Sequence, residues 1–145
     1  EKGFVIVGQD TDGSVTPADI NHSWAVNNNK PFSFIGKRGM VREDCLRPNR
    51  KQLVGLRTVD PNVVLEEGAQ AVRDPRQEIP MTMVGHVTSS YFSPILGRSI
   101  AMGVIRDGIN RLGEKVYFPM VGGDVIEAEI CSTVWFDPDG QRQKA

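Results

Sequence analysis

The sequence predicts a mainly β protein in which a C-terminal antiparallel β-barrel follows a shorter stretch of mixed α and β character. Two observations lead to this prediction. From Arg50 onward, short apolar runs with alternating polar residues are separated by regular turn signals, which is the pattern of antiparallel strands. Between Val41 and Asn49 the chain carries charge, a proline and no hydrophobic period, so we place a domain boundary near residue 48.

The second part of the chain contains about six predicted strands. Lys115 to Met120 alternates most clearly, and Gly122-Gly123 after it supplies the permissive backbone of a hairpin turn. Six short strands with turns between them predict a small closed barrel or sandwich. The predicted strands cover residues 51–58, 69–73, 81–89, 100–105, 115–120 and 124–136. The side chains predicted to fill the core are Val54, Leu56, Val116, Phe118, Ile126 and Ile130.

The first part of the chain mixes helix, strand and loop signals. Residues 3–8 form a short apolar run between glycines and are predicted to be a strand or an extended segment. Thr16-Pro17 is a typical helix start, so a short helix is predicted from there to about residue 23. Residues 27–31 are a loop by composition, and Ser33 is predicted to cap a second short helix that ends near Met40.

Composition excludes several classes of protein. The chain has 145 residues and a formal net charge of -1, so nothing favours binding to nucleic acid or to an anionic membrane. Its apolar runs are much shorter than a membrane span, and no secretory leader is visible. The chain opens at Glu1 without an initiator methionine, which suggests an excised or proteolysed fragment. Cys45 and Cys131 lack metal-ligand spacing and are interpreted as reduced, buried thiols of a cytoplasmic protein.

Few residues stand out as candidates for chemistry. His86 lies among hydroxyl residues without a visible nucleophile or acid, so a strand histidine with polar neighbours is the favoured interpretation. Ser93-Pro94 is interpreted as a turn. A basic run is either a solvated face or a site for an anionic tail or an acidic neighbouring subunit, and it comprises Lys37, Arg38, Arg42, Arg47, Arg50 and Lys51. From the residues alone, the chain is a β-rich module of undetermined function with no catalytic set and no metal site.

A series of short blocks resembles the aminomethyltransferase family, which includes the T-protein of the glycine cleavage system, dimethylglycine oxidase and the sarcosine oxidase alpha subunit. The blocks run in family order from end to end of the chain, and the ordered series is more specific than any single block. They are Glu1-Lys2-Gly3, Thr16-Pro17, Ser23-Trp24-Ala25-Val26, Phe34-Ile35-Gly36-Lys37, Leu53-Val54-Gly55-Leu56, Gly85-His86-Val87-Thr88-Ser89 and the run from Ser93 to Ala101. Residues 7–13, 67–70 and 89–94 resemble the C-terminal region of the sarcosine oxidase branch more than the T-protein branch, which usually has glycine at the position of Ser90.

The resemblance implies a fold and an activity. Residues 1–48 would be the incomplete C-terminal end of a folate-binding domain with α+β character, and residues 49–145 a C-terminal Greek-key β-barrel. In the sarcosine oxidase branch, sarcosine is oxidised at a flavin on another subunit. The imine that forms is captured by tetrahydrofolate as 5,10-methylenetetrahydrofolate. The resemblance further implies FAD, FMN and NAD elsewhere in the complex, the beta, gamma and delta subunits as partners, and a cytoplasmic location.

The resemblance also implies two folate contacts. A glutamate in the family binds the pterin ring, and Glu1 matches it; a carboxylate can accept two parallel N–H bonds from an aminopyrimidine edge. A basic residue in the family also contacts folate, and Lys30 is the nearest match. The family's assisting aspartate has no counterpart in this segment, so no catalytic residue is expected here and the segment alone is expected to be inactive. Two alternatives stay open: a T-protein with a lipoyl-bound aminomethyl donor, and a barrel that only packs against neighbouring subunits.

Overall fold

The computed structural model describes residues 1–144, and six strands dominate it. Each strand begins within about two residues of its predicted start, because alternating burial is a local property of the sequence. The strands are β1 (Lys51–Thr58), β2 (Gln70–Val72), β3 (Met83–Ser93), β4 (Arg98–Arg106), β5 (Lys115–Pro119) and β6 (Val125–Cys131). The described residues contain one α-helix, α1 (Glu43–Leu46), and short 3-10 turns at Ser23–Ala25, Gly39–Val41, Gly108–Arg111 and Gln141–Gln143.

The strands close into an antiparallel barrel in the order β1-β4-β3-β2-β5-β6. Strands β2, β3 and β4 follow one another, and β1 lies beside β4, which is the Greek-key arrangement that the resemblance implied. Pairing of Gly55 with Cys131 and of Thr58 with Ala128 joins β1 to β6 and completes the ring. The fold is therefore mainly β with a closed barrel, as predicted.

The barrel interior holds the hydrophobic core. Of the six side chains predicted to fill it, five are buried and Ile126 is partly buried against them. Phe118 is the largest of the fully buried side chains, with a relative exposure of 0%. Glycines let neighbouring strands approach each other closely. A Cβ added at Gly85 on β3 would lie 2.1 Å from the Val104 carbonyl oxygen on β4.

The first 50 residues wrap around the outside of the barrel without a core of their own. None of their apolar side chains is buried, and their two buried residues are Asp10 and Asp19. Residues 3–8 are extended, with one isolated bridge between Val7 and Thr11 in place of a strand. This segment's fully buried attachments to the rest of the chain are therefore polar.

The helix predicted to start at Thr16-Pro17 is a series of turns. The Asp19 carboxylate accepts hydrogen bonds from the Thr16 N–H and hydroxyl, as a cap would. The Asp19 carbonyl, however, accepts the Leu53 N–H at 2.7 Å, and Asn21 adopts a left-handed backbone with φ 61°. Because strand β1 takes the carbonyl that a helix would use, the helix does not continue.

Two further predicted elements differ from the structure. The helix predicted from Ser33 is interrupted at Gly36, whose φ is 94°, and α1 forms later, inside the stretch interpreted as aperiodic. The last strand ends at Cys131 instead of near Phe136. Beyond it, the Trp135 and Phe136 N–H groups donate to the Glu1 carbonyl, so this segment pairs with the N-terminus and not with β5.

Candidate functional site

A cavity of about 400 Å³ lies between the N-terminal segment and the barrel wall. Strands β3 and β4 form one wall, the first residues of the chain form another, and the segment after β6 forms the third. The lining is mostly apolar or aromatic, with the Glu1 carboxylate among it. The lining residues are Glu1, Lys2, Gly3, Phe4, Ile6, Ser89, Tyr91, Ile100, Ala101, Met102, Thr133 and Trp135.

Glu1 is held at this cavity by contacts to two distant parts of the chain. Its carbonyl accepts the Trp135 N–H at 2.9 Å, and its carboxylate accepts a hydrogen bond from the Ser93 hydroxyl. The buried Ser93 oxygen in turn accepts the Leu96 N–H at 3.1 Å. One oxygen of the Glu1 carboxylate is thus fixed by strand β3, and the other forms no hydrogen bond within the described residues.

The neighbouring Lys2 ties the same end of the chain to residue 137. Its ammonium group lies 3.0 Å from the Asp137 carboxylate and also donates to the Asp137 carbonyl. The hydrogen bond from Lys2 is the main reason that the pKa of the Asp137 carboxyl is below its ordinary value. Glu1 and Lys2, which both line the cavity, are therefore each anchored by a charge-assisted contact.

Asp10 anchors the next part of the N-terminal segment. Its buried carboxylate accepts hydrogen bonds from the Thr88 and Ser89 hydroxyls on β3 and from the Ile6 N–H. The segment between Ile6 and Asp10 is consequently closed into a turn and fixed on β3, next to the cavity residue Ser89. The hydroxyl residues next to His86 therefore position this segment. The sequence pattern did not predict that these hydroxyls contact Asp10.

A second buried aspartate fixes the segment beside the start of strand β1. Asp19 forms a two-pronged ion pair with Arg50, whose Nη2 lies 2.6 Å from the carboxylate. Burial alone would raise the pKa of the Asp19 carboxyl, but hydrogen bonds from Arg50 and Thr16 outweigh it and hold that pKa below its ordinary value. One member of the basic run thus has a structural role.

Lys30 lies away from the Glu1 cavity. It is exposed in the loop predicted for residues 27–31, and its ammonium group sits 5.4 Å from the centre of the Phe34 ring. Lys37 faces the same ring at 5.8 Å. Lys30 does not line the cavity that Glu1 lines, so the structure does not bring the two predicted folate contacts into one site.

The remaining candidates show no sign of reactivity. Burial, and secondarily the charge of Lys51, lowers the pKa of His86, so its imidazole is neutral at pH 7. Burial raises the pKa of the Cys131 thiol to about 12, which leaves it protonated and unreactive at neutral pH. Cys45 and Cys131 are both partly buried and free. Within residues 1–144, no cluster of histidine, cysteine or carboxylate side chains is arranged to hold a metal ion.

No helix in the described part of the chain is both long and apolar enough to span a bilayer.

The lining of the Glu1 cavity is of a kind that can hold a flat, partly polar ring. The aromatic and thioether side chains of Phe4, Tyr91, Met102 and Trp135 can pack against ring faces, and the free Glu1 oxygen can accept N–H groups at one edge. Tyr91 and Trp135 were not predicted as site residues. Their positions depend on the hairpin after β3 and on the return of residue 135 to Glu1, which only the tertiary fold reveals.

The fold defines a class of protein: closed Greek-key barrels of six antiparallel strands with an N-terminal segment wrapped around them. Residues 51–137 match the model of the glycine cleavage T-protein C-terminal barrel domain, and the chain belongs to this family. The crystal structure of aminomethyltransferase T of the glycine cleavage system from Bartonella henselae is similar, with a TM-score of 0.73 and 25% identity. That match covers 90% of this chain and 34% of the other.

Among curated proteins, the chain is similar to two branches of relatives. It is 46% identical over 145 residues to sarcosine oxidase subunit alpha from Corynebacterium sp. (strain P-1), and 35% identical over 143 residues to the subunit from Rhizobium meliloti (strain 1021). It is 25% identical over 143 residues to an aminomethyltransferase from Thermotoga petrophila, covering 99% of this chain and 36% of that protein. The match to the Corynebacterium protein covers 99% of this chain but 15% of that protein, so this chain spans a small part of such relatives.

Proposed function

We propose that this chain is part of a sarcosine oxidase alpha subunit and that it forms one side of a tetrahydrofolate site. The observation that carries the proposal is the identity of 46% to one sarcosine oxidase alpha subunit over the whole chain, against 25% to an aminomethyltransferase over a similar length. In this proposal the imine from sarcosine oxidation becomes 5,10-methylenetetrahydrofolate at a site completed by other parts of the protein. The beta, gamma and delta subunits and the FAD, FMN and NAD sites belong to the rest of that complex.

We further propose that residues 1–48 belong to a folate-binding domain and residues 49–145 to the barrel domain. The supporting observation is the exposure of large apolar side chains in the first segment, which has no buried apolar residue of its own. We infer that these side chains form an apolar surface that another part of the protein covers, as such surfaces normally are. The side chains concerned are Phe4, Ile6, Val7, Trp24, Phe32, Ile35, Val41 and Leu46.

Within the proposed site, Glu1 would hold the pterin edge. One of its oxygens is fixed by Ser93, and the other is free to accept N–H groups from a ring that stacks on Tyr91 or Trp135. Tetrahydrofolate would supply the nitrogen atoms that accept the one-carbon unit. The chain's own contribution is to bind and orient that molecule and to shield it from water with the apolar lining. Since the lining includes no second carboxylate among the described residues, proton transfer would fall to groups outside this segment.

Substitution of Glu1 by glutamine in the full-length protein tests this role. The variant keeps the shape but turns one acceptor oxygen into a donor, which costs about 1.5–3 kcal/mol, or roughly ten- to a hundred-fold in affinity. We expect tetrahydrofolate to bind more weakly in calorimetry and the one-carbon unit to escape as formaldehyde, while sarcosine consumption stays near the parent rate. Glu78→Gln is the matched control, because Glu78 is exposed and outside the cavity.

Two results would contradict the proposal in different ways. Normal folate affinity in Glu1→Gln would remove Glu1 from the site while leaving the sarcosine oxidase assignment standing. Absence of sarcosine oxidation in the parent complex would remove the assignment itself. Lys30→Gln, measured in the same assay, decides whether that exposed lysine contacts the folate tail, since only then does its loss weaken binding.

The second candidate is an aminomethyltransferase of the glycine cleavage type, which the similarity to the Bartonella henselae structure favours. The amine donor separates the two candidates. Oxygen-dependent turnover of free sarcosine supports the first, and folate-dependent release of ammonia from a lipoyl-bound aminomethyl group supports the second. If the barrel only packs against other subunits, Glu1→Gln should change neither reaction.

A further inference from the structure

A second cavity, of about 470 Å³, lies at the end of the barrel where β1 begins and β4 ends. Its walls come from the end of β4 and the turn after it, and from the loop between β2 and β3. No residue that lines it also lines the Glu1 cavity. The lining residues are Asn49, Arg73, Asp74, Gln77, Thr82, Val84, Arg106, Asp107 and Arg111.

Arg111 is the most unusual member of this lining. Its side chain is only 4% exposed; Nε donates to Glu114 at 2.8 Å and Nη1 to the Arg106 carbonyl at 3.2 Å. Its buried Nη2 has no hydrogen-bond partner in the described part of the chain. A buried cationic donor without an acceptor bears the full desolvation cost of that group, so an unexplained one calls for a partner.

Unlike Arg111, which pairs with Glu114, the other two arginines of the cavity have no carboxylate partner among the described residues. Neither Arg73 nor Arg106 forms an ion pair within residues 1–144. Arg106 lies directly opposite Lys51 in the β1–β4 register, which places the two basic side chains on the same face of the sheet. Like charges at opposed positions destabilise an antiparallel pair. Arg73 and Arg106 therefore bring positive charge to this end of the barrel without an ion-pair partner.

Neither of the two acids in the lining forms an ion pair with Arg73, Arg106 or Arg111 within the described residues. The Asp74 carboxylate accepts the Arg76 N–H at 2.9 Å and pairs with the Arg76 side chain. The Asp107 carboxylate accepts the Asn110 amide at 2.7 Å. The Gln77 side-chain amide bridges two parts of the loop: it donates a hydrogen bond to the Asp74 carbonyl and accepts one from the Thr82 N–H. The loop that carries Arg73 is thus held in place by its own side chains.

We propose that this cavity binds a small oxyanion of the phosphate or carboxylate class between the guanidinium groups of Arg73, Arg106 and Arg111. Guanidinium groups bind such anions through paired, charge-assisted N–H bonds. The anion would supply the acceptor that Arg111 lacks and would offset the repulsion between Arg106 and Lys51. The Thr82 hydroxyl and the Asn49 amide lie in the same lining and add neutral donors.

The test titrates inorganic phosphate, and separately malonate, into the intact protein by calorimetry, with chloride holding the ionic strength constant. We expect saturable binding of at least one anion, and the anion that binds more tightly identifies the class. The double variant Arg73→Gln and Arg106→Gln should weaken that binding by roughly tenfold or more, since two charge-assisted contacts are lost. Both side chains are exposed, so their replacement leaves the core intact.

Arg38→Gln is the matched control, because it removes one exposed positive charge that lines neither cavity. It should bind the anion like the parent protein. A further readout is the melting temperature without added anion. Arg106→Gln should not lower it, because the substitution removes one of the two like charges at positions 51 and 106. Absence of saturable binding by both anions, or equal binding in the double variant and the parent, would overturn the proposal. Folate binding at Glu1 should be the same in all of these variants.

Discussion

Asp19 shows how a single residue can join two parts of the chain in two ways. Its carboxylate pairs with Arg50 and accepts a hydrogen bond from the Thr16 N–H. Its carbonyl accepts a hydrogen bond from the N–H of Leu53, the first core residue of strand β1. Arg50 extends the network to the Ser14 carbonyl and to Asp44. Removing Arg50 would leave the buried Asp19 carboxylate without an ion-pair partner, and removing Asp19 would leave Arg50 only the exposed Asp44, so the pair specifies where the N-terminal segment lies.

Asp19→Asn should make the protein less stable at neutral pH and should change the response to acid. The folded-state pKa of Asp19 lies below the ordinary value of 3.8, so its contribution is fully present above that value. The contribution is lost as the pH falls through the lower, folded-state value. Urea unfolding at a series of pH values should show this loss in the parent and not in the variant. At pH 7 the variant should lose about 1.5–3 kcal/mol, the worth of a charge-assisted hydrogen bond.

Asp44→Asn is the matched control for this experiment, since Asp44 contacts the same arginine but is 58% exposed. An exposed ion pair contributes about 0–1 kcal/mol, so the control should be nearly as stable as the parent. Equal destabilisation by the two substitutions would contradict the role assigned to Asp19.

At the scale of the elements, glycines permit the close approach between strands. Gly85 on β3 pairs with Ile105 on β4, and Gly103 pairs with Val87. A Cβ at Gly103 would lie 2.7 Å from the His86 carbonyl oxygen and from a Leu56 methyl carbon. Side chains at these positions would push the two strands apart. The glycines therefore help to set the curvature that the ring of strands needs.

Gly85→Ala should destabilise the barrel, because its Cβ would meet backbone atoms of β4 that cannot move independently. Overpacking of this kind costs about 1–3 kcal/mol and sometimes more. The free energy of unfolding in urea measures it. Gly39→Ala is the control, since that glycine has no atom within 4 Å of an added Cβ and no positive φ. A Gly85→Ala protein as stable as the Gly39→Ala protein would show that β3 and β4 are less closely packed than described.

The strands could be predicted and the N-terminal elements could not, for physical reasons. Alternation in Val116 and Phe118 reflects the side of the sheet on which each residue lies, and that information is local. Thr16-Pro17 carries an equally clear local signal, but the distant Leu53 N–H takes the Asp19 carbonyl that a helix would need. The cavity depends on similar long-range contacts. Glu1 was predicted through the family resemblance, whereas Tyr91 and Trp135 reach it only when the chain folds.

At the scale of the whole molecule, the barrel supplies the hydrophobic core of the described chain. Its buried apolar side chains lie between Leu53 and Ile130, whereas the two buried residues of the first 50 are both aspartates. The stability of the molecule should therefore depend on the barrel interior, and the position of the N-terminal segment should depend on its aspartates.

Phe118→Ala should cost about 3–5 kcal/mol, as expected when a fully buried phenylalanine is truncated. Thermal and urea unfolding should both show the loss, because the cavity would lie in the centre of the barrel. Phe92→Ala is a control of the same chemistry on β3, where the ring is 46% exposed. A loss for Phe118→Ala no larger than that for Phe92→Ala would mean that the ring does not support the core.

The pairing of β1 with β6 also fixes an order of events during synthesis on the ribosome. Strand β1 emerges first but cannot gain its second neighbour until Cys131 has been translated and released from the exit tunnel. The Glu1 carbonyl can form its hydrogen bonds only later, since its partners are the N–H groups of Trp135 and Phe136. Contacts between such distant parts of a chain form slowly, and the nascent chain exposes apolar strands meanwhile. Within this stretch of chain, the segment before β1 is therefore made before its partners and is fixed only after residues 135 and 136 have been released.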